Sequence, residues 1–316
     1  MKVGVVIPSY KVKKQIGEVL KELEPFGYSV YVVDDKCPEN SGKFVEENYN
    51  YNNIKVLYNK VNLGVGGAVK TGYKQALNDG CDIVVKLDGD GQMNPSLIPS
   101  LIYPILNKEA DYVKGNRFFN LDTLRKMPFV RLFGNSALSI INKAVNGYWD
   151  ILDPTNGFTA IHKNAIKLLN LEKVDNRYFF ESDMLFRLNT IKAVVYDMPM
   201  DAKYADEKSN LSIKKVLIEF PPKYIVRFIK RIFYTYFLRN FSIATFELIF
   251  GFILFNFGII FGIIKWIESV NTGVVTSTGT VMIAVLPIIL GFQLLLSFLN
   301  YDINNIPNKP LCKAKF

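Results

Sequence analysis

Histidine and cysteine are scarce in this chain, with one histidine and three cysteines among 316 residues. A single His162 and no Cys-x-x-Cys spacing exclude a structural zinc site. His162 follows an expected strand and lacks partners for a catalytic triad, so a structural part is expected for it. Cys37, Cys81 and Cys312 are scattered and odd in number, which excludes a disulfide framework and fits a reducing, cytosolic setting. The opening apolar run from Met1 to Pro8 is too short for a signal peptide and reads as a first strand. Charge is missing from two stretches, Leu248–Ile264 and Ser269–Tyr301. Such stretches are hard to place in a soluble domain, although a buried core hairpin is the competing reading.

Counted from Ile243 and tolerating Glu247, the first stretch gives about 20 residues, enough for roughly 30 Å of hydrocarbon. Lys265, Trp266 and Glu268 close it as an interfacial anchor. The second is densest from Thr280 to Leu299, with Pro287 inside it. The linker Glu268–Thr278 has no Lys or Arg, whereas basic residues precede the first span and Lys309, Lys313 and Lys315 follow the second. The positive-inside rule then places both termini and the catalytic part in the cytoplasm, at the cytoplasmic (inner) membrane.

The net charge of +9 is concentrated: Lys208–Asn240 holds eight basic residues and one acidic, Glu219. At about 100° per residue, Lys223, Arg227, Lys230 and Arg231 share one helix face. Ile225, Phe228, Ile229, Ile232 and Tyr236 share the other, and Pro221-Pro222 marks a break before them. A basic amphipathic helix beside a span reads as lying on anionic lipid. The alternative is a helix packed on the soluble domain with a solvated basic face. The expected division is a soluble domain at 1–205, a basic juxtamembrane segment at 206–242, and two spans with a tail at 243–316.

Within 1–205, Lys2–Ile7, Ser29–Val33, Ile54–Leu57 and Asp82–Leu87 read as strands separated by helices such as Gln15–Leu23 and Val65–Leu77. The alternation predicts an α/β domain with a mostly parallel, Rossmann-like sheet, whose strand ends line one crevice. The strand Ile83–Leu87 ends in Asp88-Gly89-Asp90-Gly91-Gln92. Two carboxylates and an amide oxygen make an all-oxygen site for Mg²⁺ or Mn²⁺ shared with phosphate, although a plain polar turn has the same composition. In Asn62-Leu63-Gly64-Val65-Gly66-Gly67-Ala68, Val69 spoils both the dinucleotide fingerprint and a P-loop. Those glycines serve either close packing or a phosphate contact.

Val6-Ile7-Pro8-Ser9-Tyr10, Val32-Val33-Asp34-Asp35, the Asn62–Ala68 run, Asp88–Gln92 and Asp153-Pro154-Thr155-Asn156-Gly157-Phe158 stand in an order that resembles family 2 glycosyltransferases, specifically the polyprenyl-phosphate group. The resemblance implies a GT-A nucleotide-sugar-binding domain followed by a two-helix transmembrane region. It implies inverting, metal-dependent transfer of a hexose from a UDP- or GDP-sugar to undecaprenyl or dolichyl phosphate, for cell-envelope glycan or glycoprotein synthesis. Pro8, Tyr10 and Asp35 would form the nucleoside pocket, with Asp34 beside them, and Asp88, Asp90 and Gln92 would hold metal and diphosphate. Arg117 and Arg131 would meet the acceptor phosphate, with Asp153 and Asn156 on the sugar and acceptor side. The chain departs from the family at Lys11-Val12, at Thr159 and at Ser209-Asn210-Leu211.

A lipid phosphate is already anionic near neutral pH, so it needs cations to orient it rather than a strong base. A glycan or lipid hydroxyl would need one, and Glu181 or Asp183 is the candidate. A non-catalytic membrane scaffold is the third reading, opposed by the intact Asp88-Gly89-Asp90. No nucleic-acid partner is expected, and self-association is left open.

Overall fold

The computed structural model describes residues 1–49, 51–119, 129–201 and 213–313, without the side chains of 129–133, 135 and 213–217. The Ser209-Asn210-Leu211 departure and the expected boundary at 205/206 lie outside these residues. Two compact units emerge: Met1–Phe228 with Pro307–Phe316, and Ile229–Ile306.

The apolar runs of the first unit become seven strands: β1 Val3–Ser9, β2 Ser29–Asp34, β3 Ile54–Tyr58, β4 Ile83–Lys86, β5 Tyr112–Asn116, β6 Thr159–His162 and β7 Val195–Pro199. Their order is β3-β2-β1-β4-β6-β5-β7. β6 runs antiparallel to β4 and β5, while the other pairs are parallel. The period of two sends Val5, Ile7, Val30, Val32 and Val85 into one core with Leu20, Leu101 and Ile105. These last come from α1 (Ile16–Leu23) and α4 (Ile98–Leu106). Each such side chain, fully buried, contributes about 1.5–3 kcal/mol. The opposite face carries α3 (Val65–Asn78), which crosses so closely that a Cβ on Gly72 would stand 2.3 Å from Val6 Cγ1.

Further along are α2 (Ser41–Asn48), α5 (Phe129–Asn146), α6 (Lys163–Leu168), α7 (Phe180–Thr190) and α8 (Ile213–Ile232). His162 Nδ1 accepts from Asn164 N and so caps α6, in keeping with a structural part. The tail comes back to this unit: the buried Asp111 carboxylate accepts from Leu311 N and Cys312 N, both at 2.9 Å, and from Val194 N.

Helix α8 corrects two expectations. It runs unbroken through Pro221-Pro222, because packing offsets a penalty of about 3 kcal/mol per interior proline. Phe220 and Tyr224 form an edge-to-face cluster with Phe179. Of the four basic residues expected on one open face, three are drawn into ion pairs, while Lys230 stays exposed. Lys223 pairs with Asp175 at 2.6 Å and Arg227 with Asp183 at 2.9 Å, and both cations stand over Phe179. Arg231, in the second unit, is buried against Asp302. The exposed residues include Ile225, Phe228 and Ile229. The three paired charges are taken inward because carboxylates there meet them.

In the second unit, a π-helical turn at Phe233–Arg239 leads to α9 (Ile243–Thr272) and α10 (Thr278–Asn304). Both helices are long and apolar enough to cross a membrane, and α9 continues through Lys265 and Trp266. They approach through small residues: a Cβ on Gly291 would stand 2.5 Å from Phe255 N, and one on Gly258 2.6 Å from Ala284 O. Pro287 is accommodated inside α10.

Candidate active site

Parallel β1, β2 and β4 end on the same edge of the sheet, where their terminal residues gather the candidate site. Pro8, one residue before the end of β1, is half-buried, and the Tyr10 ring beyond the strand is 44% exposed. Asp34 and Asp35, at the end of β2, are both buried. Asp34 accepts from Cys37 N and Gly42 N, each at 2.7 Å. Asp35 accepts from Asn59 Nδ2, Leu63 N and Gly64 N. Every oxygen of the pair is engaged by the chain, so these carboxylates shape the surrounding loops. The glycine-rich turn they hold packs tightly: a Cβ on Gly66 would stand 2.4 Å from Asp175 O. Close packing is thus the reading the geometry supports for those glycines.

After β4 the chain turns through Asp88, Gly89, Asp90 and Gly91, with Gly91 in the left-handed region at φ 76°. Gln92 N donates to Asp90 Oδ1 at 3.0 Å, and Asp90 and Gln92 are half-buried. Asp88 Oδ1 is buried, 2.8 Å from Lys86 Nζ, at angles short of a hydrogen bond. Among the described residues no three His, Cys, Asp or Glu side chains converge on one point. Asp88, Asp90 and Gln92 carry the oxygen donors a hard cation takes, but they do not make an all-protein cage.

Sequence reasoning gave no role to Lys86, the residue that organises this end of the site. Its ammonium is 3.3 Å from Glu181 Oε1 and donates to Gly157 O at 3.2 Å. Burial alone would lower its pKa, but the Asp88 and Glu181 carboxylates more than offset that and hold it above the ordinary value. Lys114, also buried, has no such pair close by, and burial pushes it down to about 8. The available signal was a lysine inside a short apolar strand, which periodicity reads as a strand end.

Glu181 is thereby brought to the Asp88 side of the site. Asp183 is not: fully buried, it accepts from Arg187 Nε, Arg227 Nε and Asp175 N. Two guanidinium groups enclose it. Asn156 is likewise engaged within the fold. At 2% exposure, its Oδ1 accepts from Phe158 N and its Nδ2 points to Met200, so it folds the turn. Asp153 and Arg117 meet each other: Nε and Nη2 reach the buried carboxylate at 2.8 and 3.1 Å. Asp153 orients the guanidinium rather than facing a ligand. Arg131 lies in α5, and its side chain is outside the described residues.

Asp197, on β7, is a second residue that sequence reasoning missed. It accepts from Asn116 Nδ2 at 2.8 Å and Leu152 N at 3.0 Å, bracketing the Arg117–Asp153 pair. Burial pushes its carboxyl up to about 6, against the Leu152 N–H and the Lys114 charge.

Residues 4–169 match the model of the family described as glycosyl transferase family 2. Among curated proteins, the UDP-N-acetylglucosamine–dolichyl-phosphate N-acetylglucosaminyltransferase of Methanococcus voltae is 33% identical over 215 residues, 64% of this chain and 85% of its own length. The dolichol-phosphate mannosyltransferase of Pyrococcus furiosus is 30% identical over 186 residues, 57% of this chain and 52% of its own length. Among solved structures, glucosyl-3-phosphoglycerate synthase from Mycobacterium tuberculosis, in complex with Mn²⁺, UDP and glucosyl-3-phosphoglycerate, aligns with a TM-score of 0.52. That match, at 15% identity, covers 73% of this chain and 79% of the other, and the likeness is one of fold. With the family model matching more than half the chain, the protein belongs to glycosyl transferase family 2, and it is a glycosyltransferase enzyme with a GT-A-like sheet.

Proposed function

We propose that this enzyme moves a hexose from a nucleotide diphosphate sugar, UDP- or GDP-linked, to a polyprenyl phosphate at the cytoplasmic membrane face. The observation that carries the choice of acceptor is the state of the two candidate bases. Asp183 is enclosed by two arginines, and Glu181 leans on the Lys86 ammonium. A hydroxyl acceptor needs a base, whereas a phosphate brings its own negative charge. The named activities of the Methanococcus and Pyrococcus relatives support the same class.

In this reading Pro8 and Tyr10 take the nucleoside, over loops held by Asp34 and Asp35. Asp88, Asp90 and Gln92 would hold Mg²⁺ or Mn²⁺, which supplies Lewis-acid stabilisation of the departing diphosphate. Arg117, oriented by Asp153, fixes the acceptor phosphate for attack on the anomeric carbon, and Arg131 is assigned a second contact with it. Direct displacement inverts that centre. Helices α9 and α10 span the membrane. The helical unit is joined to the catalytic unit at both ends, and this supports a hairpin with both termini cytoplasmic.

The test is sugar transfer by purified protein from a panel of nucleotide sugars, with undecaprenyl phosphate, dolichyl phosphate or diacylglycerol as acceptor. Labelled polyprenyl-phosphate sugar is expected. Product on diacylglycerol, with both polyprenyl phosphates inert, would overturn the proposal and return Glu181 to the role of base.

A further inference from the structure

Two lysines occupy strands whose residues are all buried: Lys86 at the end of β4 and Lys114 in the middle of β5. Both pair in register with Thr159 of β6, so Lys86, Thr159 and Lys114 form a row on one face of the sheet. The turn entering β6 lies over this row. Lys86 Nζ donates to Gly157 O and Lys114 Nζ to Asn156 O, so two successive carbonyls rest on two buried ammonium groups. The approach leaves no room for a side chain: a Cβ on Gly157 would stand 2.4 Å from Lys86 Nζ and 2.7 Å from Asp88 Oδ2.

Lys86 therefore ties together three segments far apart in sequence: the Asp88 turn, the Asn156–Gly157 turn, and Glu181 on α7. A buried ammonium is a costly way to fill a strand position that methionine could fill by volume. What the charge adds is alignment and balance. One Asp88 oxygen is drawn inward to Lys86. The ammonium also sets a positive charge between the Asp88 and Glu181 carboxylates.

We propose that Lys86 is a positioning residue for sugar transfer, fixing Asp88 against the Asn156–Gly157 turn and tempering the negative charge of the diphosphate-cation site. The proposal rests on the assignment of Asp88 and Asp90 to a divalent cation.

The experiment titrates full-length protein in detergent with Mn²⁺ alone, followed by paramagnetic resonance. Turnover and thermal melting are measured on the same samples. Lys86→Met removes a positive charge beside a dication, so Mn²⁺ should bind roughly tenfold more tightly. Turnover at saturating Mn²⁺ should nevertheless fall about tenfold or more, because the carboxylate is no longer aligned. Lys86→Arg should return Mn²⁺ affinity toward the wild-type value and recover part of the turnover. A lysine that only fills space predicts unchanged or weaker Mn²⁺ binding, and either result overturns the proposal, as does full turnover in Lys86→Met. Should Lys86→Met fail to melt cooperatively, Glu181→Gln removes a negative charge at the same ammonium. That variant should weaken Mn²⁺ binding about tenfold, and unchanged binding would overturn the proposal. Wild-type protein that binds no Mn²⁺ would strike at the cation assignment itself. A wild-type protein inert toward polyprenyl phosphate would strike at the acceptor assignment, with turnover then read from donor hydrolysis.

Discussion

The two units of the molecule handle polarity in opposite ways. In the first, apolar side chains fill the interior, and buried charges such as Lys86, Lys114 and Asp153 sit where the sheet meets the site. In the second, most apolar side chains of the two long helices are exposed, while Arg231 and Asp302 are buried together. Tyr236 Oη adds a third contact to that carboxylate at 2.5 Å. One unit is built to keep hydrocarbon away from its solvent, and the other to keep charge away from it. That contrast is what a water-facing catalyst joined to a lipid-facing anchor requires.

The comparison can be broken at its most exposed joint first. Asp90→Asn should abolish transfer and leave the melting temperature close to wild type, since charge is lost with little change in volume. Chelation should silence the wild-type enzyme in the same way, and activity that survives exhaustive chelation would sink the cation assignment. In the second unit, Asp302→Ala strands a buried guanidinium, at a cost of about 3–5 kcal/mol. Limited proteolysis in detergent should show the helical unit opening while the sheet stays protected. Equal protection of both units in the variant would contradict this.

Arg117→Ala removes a charge-assisted contact worth about 1.5–3 kcal/mol, so acceptor efficiency should drop roughly ten- to a hundredfold. Nucleotide binding, measured by calorimetry, should change little. Near-normal acceptor kinetics would reduce Arg117 to a partner of Asp153.

Asp197 gives a smaller, pH-dependent effect. Its carboxyl is raised from 3.8 to about 6 in the fold, so the folded state holds the proton more firmly than the unfolded one. The stabilisation is therefore complete below about pH 4 and is lost as pH rises through about 6, by roughly 2–3 kcal/mol. Asp197→Asn cannot ionise, so its melting temperature relative to wild type should rise between pH 4.5 and 7.5. A constant difference would show that the carboxyl is not raised.

The smallest effect sharpens the boundary between the units. A nitroxide on Ile225→Cys should report contact with lipid, and that signal should persist at high salt, because the neighbouring Lys223 and Arg227 are engaged by carboxylates. Release of the label by salt would restore the view of a basic face on anionic lipid.

Much of this was legible in the chain. The β-rich runs Ser29–Val33 and Ile54–Leu57 became β2 and β3 almost residue for residue, and the two uncharged stretches became α9 and α10. Periodicity reports those elements because burial on one face or along a whole run is a local property. What the chain did not reveal has one cause. Asp183, offered as a base, and Lys223, placed on an open basic face, are engaged by Arg227 and Asp175, which lie far away in sequence.

The sequence by itself determined the strand and helix periods, the apolar hairpin and the acidic turn at Asp88–Gln92, since each depends on neighbours along the chain. Tertiary structure alone decided which charges remain available for chemistry. Lys86 waits on Gly157 and Glu181, Asp183 on Arg227, and Asp111 on a tail 200 residues away. An ionised side chain inside a protein takes its role from the opposite charge or hydrogen-bond donor that folding brings to it, and no local pattern encodes that partner.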